Sequence, residues 1–443
     1  MKQHSMQRIV TLVFCLWMVI GFSLVNVDIA TADSLDQLKN QLDQLQKKIQ
    51  ELEGQQADNS KKLEEIKAEA VTAGKKPGTW KLPGSNTEVS IGGYLKLDAI
   101  YSDKSTGVNS DFDQFLVPGT IPLDNADDYE DNQMVMHARQ SRLVVQTNTP
   151  TDWGNLKAYL EGDFFGGNTG NQTVSNSYVF RLRHAYGRLG NLMAGQYWST
   201  FMLVETSAET LDFGGPVGST FVRQAQLRWI QPFKWGSLQF ALENPETTVL
   251  DNDGTTLKPD DDSFPDTIVR ATFNTSLGRF DVAGMARNLR IDQAGREDDL
   301  WTGAVTVGAI IPTIGKDTIT FEGNYGNGLG RYIAGNFQDA MINPDNGELE
   351  SLTIWGGYIH YRHFWADNLR STLAYSYITA DNDTDYVPDT VNKTFQSVHA
   401  NLIYSPVPQV DVGLEYIWAQ RELENDEDAD LNRIQASVTY RFF

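Results

Sequence analysis

The feature that most constrains the fold is a two-residue alternation of apolar and polar residues, which recurs from residue 88 to the C-terminus. In the last segment, 431–443, every second residue from Ile434 to Phe442 is apolar, and Arg433 and Arg441 are among the polar residues beside them. A period of two is typical of a β-strand with two unlike faces. We count about sixteen such segments, each close to the ~10 residues with which a tilted strand crosses an outer membrane.

The connections between these segments are of two kinds. The short ones are 149–155, 190–191, 232–236, 276–278, 312–316, 366–368 and 405–409, and the mostly longer, acidic ones are 102–132, 244–264, 290–298, 327–348, 379–392 and 419–430. Short periplasmic turns and long outer loops are typical of a bacterial barrel. Because backbone groups in hydrocarbon must pair within the protein, amphipathic strands without a covering helix require closure. The sequence therefore predicts an all-β fold, a transmembrane antiparallel β-barrel of about sixteen strands over residues 87–443.

Composition and the N-terminus narrow the function classes. A formal charge of −22 argues against a nucleic-acid partner, since such partners are bound by basic surfaces. Past residue 30 the chain has no apolar run of the ~18 residues that a transmembrane helix needs. An apolar run that ends in Ala30-Thr31-Ala32 predicts a signal peptide at residues 1–32, with a membrane anchor as the alternative. The only cysteine, Cys15, lies within it.

Residues 33–73 predict a coiled coil. Apolar side chains from Leu35 to Ala73 are spaced alternately three and four apart, which is the seam of a left-handed coiled coil and implies an oligomer. The alternative is one amphipathic helix that lies on the rest of the protein. Residues 74–86 contain two prolines and three glycines and are predicted to be a linker.

The polar face of the predicted strands is rich in arginine. Nine arginines fall on the inward parity: Arg142, Arg181, Arg183, Arg228, Arg270, Arg287, Arg370, Arg433 and Arg441. Arginine stays charged and binds a carboxylate with two hydrogen bonds. Rings of arginines in a pore make it selective for anions. Either all of these arginines form ion pairs with inward-facing carboxylates and only pack the wall, or some of them remain available to bind solute. We expect that some of the arginines are paired and that others bind solute. The inner wall then carries an excess of arginine, while the outer opening of the pore is acidic.

One long loop differs from the others. The segment 200–221 follows the fifth predicted strand and is less acidic and more compact than the other long loops. It contains Glu205, Glu209 and Asp212 before a Gly-Gly-Pro turn. We expect this segment to fold into the lumen and to form its constriction.

Several motifs together resemble the DcaP-like porins. They are Leu82-Pro83-Gly84-Ser85-Asn86-Thr87, Ile91-Gly92-Gly93-Tyr94, Ala138-Arg139-Gln140-Ser141-Arg142-Leu143, Ala194-Gly195-Gln196-Tyr197-Trp198-Ser199-Thr200-Phe201-Met202 and Glu209-Thr210-Leu211-Asp212-Phe213-Gly214-Gly215-Pro216. The resemblance implies a trimer of barrels in the outer membrane, a coiled coil in the periplasm, and passive uptake of small anions, particularly dicarboxylates. It places Arg142 near the constriction, with Glu209 and Asp212 on the loop opposite. Tyr197 stands where the family pattern has a small polar residue, so the pore is expected to be narrower or differently lined there.

The predicted function is an outer-membrane porin for anion-preferring diffusion, not an enzyme. The alternatives are a structural or adhesive barrel and a specific phosphate-type channel. The expected partners are two further copies in a homotrimer joined by the coiled coil and the barrel walls, outer-membrane lipid and small anionic solutes, but no nucleic acid.

The search for other chemistry in the sequence gives little. Neither an HExxH nor a GxSxG motif occurs, and His184 has outward parity with no serine indicated beside it. No cofactor and no metal is predicted. The runs 251–254 and 260–262 offer oxygen ligands for calcium, but they lack the spacing of a calcium loop, so a solvated loop is favoured.

Overall fold

The computed structural model describes residues 32–69, 72–74, 78–105, 114–124, 126, 130–167, 173–293, 295–333 and 337–442. The chain divides into two units, Met1–Thr72 and Ala73–Phe443. The predicted signal peptide, 1–32, lies outside the described residues apart from Ala32.

The first unit contains one helix, α1 (Ala32–Glu69), of 38 residues. Its seam side chains are solvent-exposed; Leu38, Leu45 and Ile66 are 62–65% exposed. Thr72–Ala73, which the heptad pattern placed in the helix, forms a short strand instead. None of the described helices is long and apolar enough to span a bilayer. The coiled coil itself remains a prediction.

The second unit is a closed antiparallel barrel of sixteen strands. They are β1 (Glu88–Ser105), β2 (Glu130–His137 and Arg142–Thr151), β3 (Gly154–Asp163), β4 (Arg181–Leu189), β5 (Leu192–Trp198), β6 (Arg223–Phe233), β7 (Gly236–Glu243), β8 (Asp266–Thr275), β9 (Gly278–Gln293), β10 (Arg296–Pro312), β11 (Thr318–Asn327), β12 (Thr353–Ala366), β13 (Leu369–Asp381), β14 (Asn392–Val407), β15 (Val410–Leu423) and β16 (Asp428–Phe442). β16 pairs with β1, with Ala436 opposite Ala99. The ring has no free edge, as the alternation predicted.

The two faces of the wall differ as the sequence predicts. In β15, Val412, Leu414 and Tyr416 are 43–56% exposed, while Asp411 and Glu415 of the opposite parity are buried. The predicted short connections are confirmed as tight turns, for example 190–191 and 276–277.

Two predicted acidic loops are largely strand. Residues 290–298 were expected to form a loop, but β9 and β10 continue through them with Arg290 opposite Asp299. Leu289 and Ile291 are fully buried there, against apolar residues of an outer sheet. That sheet consists of Val249–Leu250, Thr256–Leu257, Ala340–Ile342 and Leu349–Ser351. β9 and β10 therefore continue into the predicted loop because their apolar side chains pack against those of this outer sheet. Likewise β15 and β16 take up most of the predicted loop 419–430.

A large apolar cluster fills part of the barrel. Its loop members come from loop 1 (106–129), loop 3 (199–222), loop 4 (244–265), loop 6 (328–352) and loop 7 (382–391). Its wall members come from β8, β9 and β12–β16, and none of the described members lies on β1–β7. Three-residue 3₁₀ helices stand in loops 1, 3 and 6, at Pro118–Thr120, Val204–Thr206 and Gly330–Tyr332. The apolar cluster of the loops thus packs against one side of the interior.

Candidate functional site

Loop 3 runs across the inside of the barrel. It leaves β5 after Trp198 and returns at β6. On the far wall, the backbone N–H groups of Leu211 and Asp212 donate to the Glu415 carboxylate at 2.9 and 3.0 Å. The loop also binds the Glu322 carboxylate, to which the Thr220 N–H donates at 3.1 Å. Both carboxylates are buried, so they anchor the loop rather than face open space.

Two glycines of the wall form seats for loop 3. A Cβ added at Gly308 of β10 would lie 2.8 Å from Leu203 Cδ1, and one added at Gly413 of β15 would lie 2.8 Å from Leu211 Cδ2. A side chain at either position would overlap the loop. The path of loop 3 is therefore fixed by shape as well as by hydrogen bonds.

Asp212 lies inside the loop structure and not on an open surface. Its carboxylate is 3% exposed and accepts hydrogen bonds from the N–H groups of Leu116, Gly214 and Gly215 at 2.8–3.0 Å. Burial raises the pKa of the Asp212 carboxyl. The sequence predicted Asp212 on the constriction, but its contacts join loop 1 to the turn of loop 3.

Glu205 and Glu209 do reach partly open positions. Their side chains are 46% and 30% exposed. Glu205 pairs with Arg270 at 2.9 Å and with Arg279 at 3.1 Å. Burial alone would raise the pKa of the Glu205 carboxyl, but these two arginines hold that pKa below its ordinary value. Glu209 pairs with Arg370 at 2.7 Å.

Four arginines gather on the wall formed by β2, β4 and β6, and we call them the arginine cluster: Arg142, Arg181, Arg183 and Arg223. Arg183 donates to the carboxylates of Glu161 at 2.7 Å and Asp163 at 2.9 Å. Arg142 lies 3.3 Å from Glu161, and Arg181 lies 2.7 Å from Asp163. Three guanidinium groups thus pair with two carboxylates, and that of Arg223 lies beside them over the Trp198 ring.

Aromatic rings support the arginine cluster. The Phe213 ring of loop 3 lies under Arg181 and Arg183, with guanidinium carbons 5.4 and 5.6 Å from its centroid. The Trp198 ring lies between Arg183 and Arg223, at 5.5 and 5.0 Å. Cation–π contacts of this kind stabilise a guanidinium without neutralising it.

Sequence reasoning missed Arg223. Strict alternation puts it on the outer face with Ala225 and Leu227, but it sits at the strand end where β6 leaves loop 3 and contacts Trp198 and Phe221. Within the described part of the chain it makes no ion pair, and its buried Nη1 atom has no hydrogen-bond partner. The signal in the sequence is weak, because alternation is least reliable at strand ends.

Other predicted arginines are buried and hydrogen-bonded within the protein. Arg228, Arg270, Arg287 and Arg433 are each at most 5% exposed. Arg228 donates to the Trp198 carbonyl, and Arg433 donates to Ser102 Oγ at 2.8 Å. These side chains were predicted to line the pore, but the wall and the loops enclose them.

Arg287 shows this most clearly. It pairs with Asp266 of β8 at 3.1 Å and with Asp339 of loop 6 at 2.7 Å. Its remaining donors bind the carbonyls of Gly328 and Glu246. Arg287 is therefore a clamp that joins loops 4 and 6 to the wall.

A second group of arginines is more open. Arg362 and Arg370 flank Glu209, and Arg370 and Arg441 share Asp411 at 2.9 and 2.6 Å. The side chains of Arg362 and Arg441 are 37% and 46% exposed. Three guanidinium groups here meet two carboxylates.

A β-bulge changes the prediction for His184. The register shifts between Glu161 and Gly162 of β3, which leaves Arg183 as the extra residue of β4. His184 is consequently turned inward and is 3% exposed, with its ring 4.7 Å from that of Tyr197. Tyr197 in turn lies 5.0 Å from Tyr186, so aromatic rings fill the wall where the family pattern has a small residue.

The acidic outer runs are bound by protein groups. Asp262 accepts from the Thr247 hydroxyl at 2.5 Å, and Asp251 lies 3.3 Å from Arg296. Among the described residues no group of three or more His, Cys, Asp or Glu side chains is suited to hold a metal ion.

Comparison with known proteins gives a family match. The model of the DcaP outer membrane protein family matches residues 23–442. A search of curated proteins found no match.

Three solved structures illustrate the fold. The crystal structure of the outer membrane channel DcaP of Acinetobacter baumannii is 22% identical, covers 84% of this chain and 100% of its own, and has a TM-score of 0.70. The anion-selective porin from Comamonas acidovorans is 10% identical, with coverage of 80% and 100% and a TM-score of 0.50. The trimer form of OmpT from Vibrio cholerae is 13% identical, with coverage of 81% and 100% and a TM-score of 0.51. At these identities the likeness concerns the fold alone.

Proposed function

Because the chain belongs to the DcaP outer membrane protein family, we propose that this outer-membrane channel conducts small anions in preference to cations, dicarboxylates in particular. The observation that carries the proposal is the charge of the arginine cluster: three of its guanidinium groups share two carboxylates, and the fourth, that of Arg223, makes no ion pair among the described residues. An excess of fixed positive charge on a pore wall attracts anions and repels cations.

The route of the solute follows from where the loops lie. The apolar cluster of loops packs on β8, β9 and β12–β16. On the wall of β2–β6, Phe115 of loop 1 and Phe213 of loop 3 pack on Phe165, at 5.8 and 4.6 Å between ring centroids, and we infer that water reaches this wall beside these rings. That wall carries the arginine cluster, and the Phe213 ring of loop 3 packs against Arg181 and Arg183. We infer that a solute passes along this wall beside the Phe213 ring.

Exposure separates the arginines that meet solute from those that hold the fold. The side chains of Arg142 and Arg181 are 20% and 29% exposed, whereas that of Arg183 is 3% exposed. Arg183 therefore organises Glu161 and Asp163, while Arg142, Arg181 and Arg223 present hydrogen-bond donors to a carboxylate. Arginine suits this role because it binds a carboxylate with two parallel hydrogen bonds.

The second arginine group supplies another anion station. Arg362, Arg370 and Arg441 together exceed Glu209 and Asp411 by one charge. Each group attracts carboxylates, so a solute with two carboxylates is attracted more strongly than a solute with one. This is the physical reason to favour dicarboxylates over monocarboxylates.

The assembly belongs to the same proposal. The trimer form of the Vibrio cholerae porin supports a homotrimer, joined here by barrel walls and by α1 in the periplasm. The exposed seam of α1 supports association, because a row of leucines 52–65% exposed is stable only against a partner.

Block of the ion current by succinate in planar bilayers tests the proposal. Succinate should reduce the wild-type current, and Arg223→Gln and Arg142→Gln should each raise the block constant about tenfold, since a hydrogen bond to a charged group contributes ~1.5–3 kcal/mol. Arg296→Gln, which removes an arginine of the outer hairpin that is paired with Asp251, is the matched control. A block constant unchanged in both cluster variants would reject the arginine cluster as the binding station.

A further inference from the structure

The outer face of the barrel carries a hollow that the channel function does not use. It is a wide, open depression on β10–β13 with a volume of about 720 Å³. Gly323 and Gly357 form its floor, and Val307, Ile359 and Trp355 stand on its sides. These three side chains are 43–51% exposed and point away from the barrel interior.

The hollow exists because two neighbouring strands lack side chains at the same level. Gly323 of β11 pairs directly with Gly357 of β12. A Cβ added at Gly357 would lie 2.0 Å from the Glu322 carbonyl oxygen, so that position requires glycine. On the inner side Gly218 of loop 3 packs against the same Gly357 backbone. Backbone alone therefore separates the hollow from loop 3.

Gly323 is different, because nothing inside the barrel requires it. A Cβ added there would meet only Val307 Cγ2, at 3.8 Å, which is an ordinary contact. A larger side chain at this position would extend into the hollow without disturbing the wall.

We propose that this hollow binds an acyl chain of an outer-leaflet lipid. The lining is aliphatic and aromatic, and the one carboxylate nearby, that of Glu322, is turned inward to Thr206 and Thr220. The hollow is continuous with the exposed apolar belt of the barrel, whose surroundings in an outer membrane are hydrocarbon. If the hollow were empty, the side chains that line it would lose dispersion contacts. An acyl chain that enters the hollow restores those contacts.

Aromatic side chains indicate at which level of the membrane the hollow lies. Trp355 and Tyr325 lie within three residues of the ends of β12 and β11 that adjoin loop 6, and the Tyr377 ring lies beside that of Trp355 with centroids 5.3 Å apart. Tryptophan and tyrosine prefer the level of the lipid headgroups. The hollow thus opens below the outer headgroup level, where the chain of an outer-leaflet lipid begins.

Native mass spectrometry of protein extracted from outer membranes in mild detergent tests the proposal, with Gly323→Leu as the variant. Wild type should retain lipid adducts through detergent exchange, and the variant should retain at least threefold fewer. Gly284→Leu is the matched control, because Gly284 also faces outward on a neighbouring part of the wall and an added Cβ meets nothing within 4 Å. Its adducts should equal those of wild type.

A second variant, Val307→Phe, narrows the hollow from its side and should lower the retained lipid in the same way. Equal adducts in wild type and both hollow variants would overturn the proposal. Loss of the oligomer on an unheated gel in Gly323→Leu, but not in Gly284→Leu, would also overturn it and identify the hollow as an interface between copies. Succinate block should be unchanged in all three variants, so the outcome is independent of the proposed anion path.

Discussion

Replacing Arg287 by alanine is expected to lower the stability of the barrel without widening the pore. The side chain is 1% exposed, and its partners Asp266 and Asp339 are 1% and 0% exposed. Removal of one partner of a buried ion pair costs about 3–5 kcal/mol, because the remaining charge stays buried. Asp339 keeps the N–H of Thr248, and Asp266 keeps the Tyr332 hydroxyl, so we expect the lower end, about 3 kcal/mol.

The burial of apolar side chains predicts that loop 6 stays in place in Arg287→Ala. Leu329, Tyr332, Ile333 and Phe337 of this loop are at most 3% exposed, and the burial of each contributes about 1.5–3 kcal/mol. Their sum exceeds the loss at the clamp. Single-channel conductance of Arg287→Ala should therefore equal that of wild type, while its urea unfolding midpoint in lipid vesicles falls.

Arg290 on the same strand provides the control for this experiment. Its side chain is 27% exposed and pairs with Asp292 and Glu297, which are 55% and 72% exposed. Exposed pairs contribute about 0–1 kcal/mol, so Arg290→Ala should unfold close to wild type. Equal unfolding midpoints for the Arg287 and Arg290 variants, or a larger conductance in Arg287→Ala, would refute the assignment of a clamp.

Three further predictions follow from other parts of the chain. Gly308→Val should disturb the seat of loop 3 and change single-channel conductance, whereas Gly284→Val should not. Leu45→Asp in the seam of α1 should lower the temperature at which the unheated oligomer dissociates on a gel, while the β-sheet circular dichroism is retained. Hydrogen bonds, first from Tyr361, hold the pKa of the Asp317 carboxyl in a turn at about 2, below its ordinary 3.8. Its contribution to stability is present above about pH 4 and is lost as the pH falls through about 2, so Asp317→Asn should flatten the unfolding profile in that window; an unchanged profile would contradict the assignment.

The alternation of the strands was predictable because it reflects one local rule. Ile434, Ala436 and Val438 must all lie on one face of β16, whatever the rest of the chain does. The same rule placed Arg142, Arg181 and Arg183 on the inner face. It failed at His184, because a bulge inserts one residue and reverses the parity after it.

The partners of the inner charges were not predictable from the strands. Arg287 is completed by Asp339, which lies 52 residues further along in loop 6. Where a long loop folds depends on contacts between distant apolar residues, such as Tyr332 against Phe201, and no local period records them. Asp212 shows the same limit, since its role in a turn depends on Leu116 of loop 1. Sequence therefore predicts the wall better than the contents of the lumen.

The reversal potential of the wild-type channel under a potassium chloride gradient tests the central claim most directly. The arginine excess on the wall of β2–β6 predicts a potential with the sign of chloride permeation, despite the formal charge of −22 on the chain. A potential with the sign of potassium permeation would contradict the account, because the acidic outer loops and not the inner arginines would then determine which ions pass.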